Sequence, residues 1–224
     1  MKQHTWMAAV GSVLAMAATT PGFAQMKEFT GASIYGATGY NTWSTEWSDT
    51  KTSKGYSITA DTATSAGFPL FVGLDYTWAM SDSNSLGLSI ERNFIKSAGG
   101  TSNFYYSGSY VGGLSAVVDN SYQISILPGF LIDKNSLAYG KLGYYSAGLT
   151  VSDSSDSYSF TQTGYSFGAG VKTLFRAPSV GNNFYVFGEA NYRMPNSLGQ
   201  TLDGATTNIK LGGMNVLVGL GMNF

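Results

Sequence analysis

The last eleven residues of the chain alternate without a break. Met214, Val216, Val218, Leu220, Met222 and Phe224 share one parity, and Asn215, Leu217, Gly219, Gly221 and Asn223 share the other. Successive side chains of an extended strand point to opposite faces, so this segment has one apolar face and one small or polar face. The same two-residue period returns upstream. Leu70, Val72, Leu74, Tyr76 and Trp78 alternate with Phe71, Gly73, Asp75 and Thr77; Leu86, Leu88 and Ile90 alternate with Gly87, Ser89 and Glu91. Tyr122, Ile124 and Ile126 flank Gln123 and Ser125, and Tyr165, Phe167, Ala169, Val171 and Thr173 oppose Ser166, Gly168, Gly170 and Lys172. Val186, Ala190 and Tyr192 lie opposite Phe187, Glu189 and Arg193. Two looser stretches, 29–40 and 137–149, are rich in Gly, Ala and Tyr and bring the predicted strands to eight.

The links between these strands also alternate. Residues 81–85, 133–136 and 176–183 are short and rich in turn formers, whereas 41–67, 96–118, 150–164 and 194–208 are longer and polar. Short turns at one end and long loops at the other predict an all-β fold: a closed, antiparallel, up-and-down transmembrane β-barrel of eight strands. A strand backbone crossing hydrocarbon satisfies its N–H and C=O groups only when the sheet closes on itself. A ten-strand variant, with 104–110 forming a hairpin against 113–118, is the alternative count.

Alternation alone also fits a secreted lipocalin-like barrel with its apolar face inward. The aromatic residues favour the membrane. Trp78, Phe130, Phe175, Phe184 and Phe224 fall at the short-turn end of the apolar parity, and Tyr122, Tyr165 and Tyr192 at the long-loop end. Two such girdles suit the headgroup regions on both sides of a bilayer. The other parity is dense in Gly, Ser and Ala, as a narrow lumen requires.

Composition narrows the function. Charged residues make up 11% of the 224-residue chain, well under the ordinary ~25%, while aromatics reach 14%. With 43% hydrophobic residues and a net charge of -1, disorder is excluded. Twelve Lys and Arg against thirteen Asp and Glu leave no basic excess for nucleic acid. The absence of cysteine removes disulfides, thiolate catalysis and cysteine zinc sites.

The first residues read as a secretory signal peptide: a short polar start with Lys2, an apolar run over 7–18, and small residues ahead of Gln25. The run is shorter than the ~20 apolar residues of a membrane helix, and Pro21 prevents its continuation as one. Cleavage after Ala24 is expected, giving a signal peptide at 1–24 and one barrel domain at 25–224. Cleavage also removes His4, the single histidine. The mature chain then lacks the usual base of hydrolytic sites, no serine–lysine motif stands out, and we expect no enzymatic activity. Asp153 and Asp156 in the segment SDSSDSYS lack the calcium-loop pattern and read as a solvated loop. No cofactor or metal is implied.

The pattern as a whole resembles the small outer-membrane β-barrel proteins of the OmpA transmembrane-domain and rhizobial or Brucella porin-like type. The segment FTGASIYGATGY resembles their first strand, AYGKLGYY their fifth, VFGEANYR the strand carrying an inward glutamate, and VLVGLGMNF their terminal strand. The resemblance implies residence in the outer membrane of a Gram-negative bacterium, among its lipids and lipopolysaccharide. It also implies an assembly signal at Val216, Val218, Leu220, Met222 and Phe224, read by the barrel assembly machinery. The chain stops at Phe224, so we expect no peptidoglycan-binding domain.

Turning the apolar faces outward sends Asp75, Glu91, Lys141, Lys172, Glu189 and Arg193 into the lumen, three acids against three bases; the placement of Lys141 leans on the resemblance. Isolated charges in a narrow interior carry a large desolvation cost, so these are expected to pair into a plug. A switchable ion gate is the alternative, and a wide pore belongs to barrels of ~16 strands. Trp43 and Trp47 in the first long loop, and Phe104, Tyr105 and Tyr106 in the second, are aromatic residues that either pack the loops together or anchor a partner. The expected function is that of a monomeric structural and surface-interaction protein, adhesin-like, meeting host, phage or cell-surface ligands through its loops. A small gated pore for ions or solutes is the alternative.

Overall fold

The computed structural model describes residues 26–153, 155–177, 181–202 and 205–224, so the signal-peptide segment, with His4, lies outside the described residues. Among the described residues a 3-10 turn, Lys27–Phe29, precedes twelve strands. In chain order these are β1 (Gly31–Lys51), β2 (Thr59–Ala60), β3 (Ala63–Gly67), β4 (Leu70–Ala79), β5 (Asn84–Asn93) and β6 (Ser97–Tyr106). They continue with β7 (Ser109–Asp133), β8 (Ser136–Ser152), β9 (Ser157–Ala177), β10 (Gly181–Pro195), β11 (Leu198–Leu202) and β12 (Ala205–Asn223).

Eight of them form the wall. The antiparallel order β1–β4–β5–β7–β8–β9–β10–β12 returns to β1, because Ser33–Ser48 of β1 pairs along β12 from Asn223 up to Asn208. This ring has the predicted strand number and direction. The remaining four strands extend it. β3 continues β4 along the upper half of β1, β6 continues β5 along β7, and β11 continues β10 along β12. Each continuation is broken at a similar height, by Phe68 and Pro69, by residues 94–96, and by residues around Pro195. A proline supplies no ladder N–H, so the pairing pauses where Pro69 stands.

The four long polar links therefore contain strand. Residues 104–106 do pair with 109–112, yet that hairpin rises above the ring and adds no wall strand. The strands within these links escape the two-residue reading because Ser, Thr and Gly dominate the outward positions there, hiding the alternation.

Inside, cross-strand pairs set an aromatic ring against a glycine: Tyr35 with Gly73, Tyr139 with Gly170, Tyr145 with Gly164, Phe187 with Gly219 and Tyr185 with Gly221. A Cβ at any of these glycines would overlap the facing ring. In a lumen of eight strands, large inward rings fit only where the neighbouring strand carries no side chain. Tyr35, Tyr185 and Phe187 join Met26, Phe29, Leu137, Leu174 and Leu217 in a buried cluster at the short-turn end. A second cluster, with Trp43, Tyr145, Leu149, Val151, Ile209 and Leu211, fills the extension.

Candidate functional site

Between the two apolar clusters lies a layer of charge. All six predicted lumen residues, Asp75, Glu91, Lys141, Lys172, Glu189 and Arg193, are buried inside the ring. Their positions follow from register. Glu91 is inward on β5, Glu189 inward on β10, and Lys141 on β8 reaches both across the lumen. Its Nζ donates to Glu91 Oε2 and to Glu189 Oε1 at 2.8 Å each, with its side chain 2% exposed. Tyr35 donates to Glu91 Oε2 at 2.7 Å and Tyr139 to Glu189 Oε2 at 2.8 Å. Asn191 donates to Glu189 Oε1 at 2.8 Å and to Asn215 Oδ1 at 2.9 Å. Two carboxylates around one ammonium are thus held by neutral donors from three strands, the arrangement that makes a buried charge tolerable.

Lys172 pairs separately, with Asp75 Oδ2 at 2.5 Å, and its ammonium lies 5.4 Å and 5.2 Å from the ring centroids of Tyr139 and Tyr185. Arg193 departs from the expected acid–base pairing. Its Nη1 donates to Asn41 Oδ1 at 2.8 Å, and its Cζ sits 4.4 Å from the Trp43 ring centroid and 6.0 Å from that of Phe71. It takes an amide and two aromatic faces in place of a carboxylate because Lys141 already engages both Glu91 and Glu189.

Among the described residues the network is closely packed. The cavity among Tyr35, Asp75, Lys141, Lys172, Phe187 and Glu189 measures about 10 Å³, room for about one water molecule. The tyrosine and asparagine partners escape sequence reading because no motif marks them; the signal available is the inward aromatic opposite an inward glycine.

The aromatic residues of the long links divide in two. Trp43 and Trp47, expected in the first long loop either to pack it or to anchor a partner, lie on the inner face of β1, and Trp43 is 1% exposed. Trp47 stacks edge-on against Phe104 at 5.2 Å and donates from Nε1 to Ser102 Oγ at 2.9 Å. These three therefore pack the extension together. At the tip, by contrast, Tyr106 packs edge-on against Tyr56 at 5.6 Å, and Tyr105 against Tyr110 at 6.1 Å. Tyr110 is 63% exposed and Tyr56 53%. The Tyr105 hydroxyl donates to Asp61 Oδ2 at 3.2 Å, which raises its pKa above the ordinary tyrosine value. Tyr56 was not legible as a partner of this patch, since a lone tyrosine after Gly55 carries no periodic signal.

The apolar residues expected as an assembly signal, Val216, Val218, Leu220, Met222 and Phe224, share the outward parity of the terminal segment; all but Met222 are exposed. Asp153 turns the link between β8 and β9, its Oδ1 accepting from the backbone N–H of Ser155 at 2.7 Å and of Asp156 at 2.8 Å. Among the described residues no three His, Cys, Asp or Glu side chains gather to hold a metal.

Residues 7–224 match a family described as the outer membrane protein beta-barrel domain. No curated protein matches the chain. Among solved structures it is similar to Ail, the attachment invasion locus protein of Yersinia pestis, at 17% identity over 84% of this chain and 99% of that one, with a TM-score of 0.41. It is also similar to OprG from Pseudomonas aeruginosa, at 13% identity over 87% and 97% with a TM-score of 0.47. Neisserial surface protein A gives 13% identity over 87% and 99%, with a TM-score of 0.46.

Proposed function

The chain belongs to the outer membrane protein beta-barrel domain family and resides in the bacterial outer membrane; from that premise we propose that it is a non-enzymatic structural and surface-interaction protein. In this reading residues 1–24 are a signal peptide removed on export, the barrel is a monomer, and the assembly machinery reads the terminal strand ending in Phe224. The partner surface is the tyrosine cap of Tyr56, Tyr105, Tyr106 and Tyr110 at the tip of the extension. Tyrosines offer large contact area with little rotamer entropy to lose, so such a cap suits a host, phage or cell-surface ligand.

The observation that supports the proposal is the close packing of the interior, where the cavity inside the charged network measures about 10 Å³. A pore would need both apolar clusters to part and the Lys141 network to break, whereas a surface protein needs neither. Planar-bilayer recording of the purified chain tests this: no discrete openings are expected, and steady single-channel steps would support the gated pore instead. For the cap, bacteria displaying Tyr56→Ser, Tyr106→Ser and Tyr110→Ser together should attach severalfold less to epithelial monolayers at equal surface display. Equal attachment would remove the cap from the account.

A further inference from the structure

The lipid-facing wall carries a groove of about 520 Å³ beside an outward-facing cation. Val72, Leu74, Ile90 and Tyr122 line it from β4, β5 and β7, and Arg92 and Phe94 close its upper end. The groove exists because the wall is notched there. Pairing of β5 with β7 stops at Arg92 and Tyr122, Asn120 takes a φ of 45°, and the β7–β8 register slips between Asp119 and Tyr122. On the other side β5 ends at Asn93, whose side-chain oxygen accepts from the backbone N–H of Leu70 and of Ile95 at 3.2 Å each.

Arg92 is held in place without being neutralised. Its Nη2 donates to Asn120 Oδ1 at 3.0 Å, and its Cζ lies 5.2 Å from the Phe94 ring centroid. Among the described residues no carboxylate forms an ion pair with it. Just beyond it stands Lys96, 75% exposed, with Nζ 3.5 Å from Asp119 Oδ2. In register Arg92 is opposite Tyr122, a member of the long-loop tyrosine girdle, which sets the guanidinium at headgroup depth. A charge on a lipid-facing wall is costly unless an anion meets it, and a guanidinium presents paired donors that match phosphate oxygens.

We propose that this groove seats a phosphorylated, acylated glycolipid of the outer leaflet, with an acyl chain along Val72, Leu74 and Ile90 and a phosphate on Arg92, seconded by Lys96. The order of polarity selects the occupant: Leu74 and Ile90 lie one outward step nearer the bilayer centre than the level Arg92 shares with Val72 and Tyr122, so the cation meets the headgroups above an apolar floor, the layout of an amphiphile standing in the membrane. The proposal rests on the orientation of the wall and is independent of the tyrosine cap.

Native mass spectrometry of the detergent-extracted full chain tests it with three probes: hexa-acyl bisphosphorylated lipid A, the same lipid after phosphatase treatment, and phosphatidylglycerol. The wild type should retain the bisphosphorylated lipid about tenfold better than either other probe. Arg92→Gln should abolish that preference, Arg92→Lys should keep part of it, and Lys134→Gln, at a turn on the opposite end, should keep all of it. Ile90→Trp should fill the groove and lower retention of every probe, and it decides the matter if Arg92→Gln fails to fold, as gel migration would reveal. The proposal is overturned if Arg92→Gln retains the preference, if Ile90→Trp retains lipid like the wild type, or if phosphatidylglycerol or the dephosphorylated lipid is held as tightly as the bisphosphorylated one.

Discussion

The lower and upper halves of β12 face opposite ways in polarity while keeping one parity. Below Gly212, Val216, Val218 and Leu220 point outward and Asn215 points in; above it, Ile209 and Leu211 are buried inside while Asn208 and Lys210 take the outward positions. β1 repeats the change, with Ile34 and Tyr40 outward below, and Trp43 and Trp47 buried above beside an outward Glu46 that pairs in register with Lys210. The lesson is about solvent. Where hydrocarbon surrounds the wall, apolar side chains gain nothing by turning inward, and the interior can hold charges and hydrogen bonds. Where water surrounds it, the hydrophobic effect drives the same strands to bury their apolar side chains. The two halves are therefore held together by different forces, and they should fail differently.

The largest effect is expected in the charged layer. Lys141→Ala leaves Glu91 and Glu189 facing each other without a counterion, and should cost about 3–5 kcal/mol in guanidinium unfolding of the whole barrel. In the extension, Trp47→Ala should cost about 3 kcal/mol through lost packing on Phe104, but locally. Protease should cut the extension of that variant while the folded ring still migrates apart from unfolded chain on a gel; global unfolding would erase the distinction between halves. Gly219→Val, which drives a side chain into the Phe187 ring, should destabilise the ring by about 1–3 kcal/mol, read from its unfolding midpoint.

The ring was legible in the sequence because its medium makes alternation loud: Val216, Val218 and Leu220 must be greasy, and Gly219 and Gly221 must be small. The extension was quiet because its outward positions are Ser, Thr and Gly, and because Pro69 and Pro195 stop the pattern at the rim. Trp43 and Trp47 looked like loop residues for the same reason. The inward direction of the six charges could be read from parity, but their partners could not, since Tyr35, Tyr139 and Asn191 meet Glu91 and Glu189 only after the ring closes. Arg193 shows the limit of counting charges: equal numbers of acids and bases did not yield one-to-one pairs.

The smallest effect lies at the edge of the extension. Hydrogen bonds from the backbone N–H groups of Asp156 and Ser155 hold the Asp153 carboxyl below its ordinary pKa. Because the folded value is the lower one, this contribution is present above the ordinary carboxylate range and fades as pH falls through the lowered value. An NMR titration of the Asp153 side chain should find its midpoint below that of an unstructured aspartate, with no change in the unfolding of the ring.

Because the chain contains no cysteine, single cysteines can report which solvent each outward position meets. In proteoliposomes, Lys210→Cys should react with a membrane-impermeant maleimide, while Val216→Cys and Val218→Cys should resist it and, once carrying a fluorophore, be quenched by brominated acyl chains. Aqueous labelling at Val218→Cys, or acyl-chain quenching at Lys210→Cys, would contradict the change of surroundings at Gly212 on which the account stands.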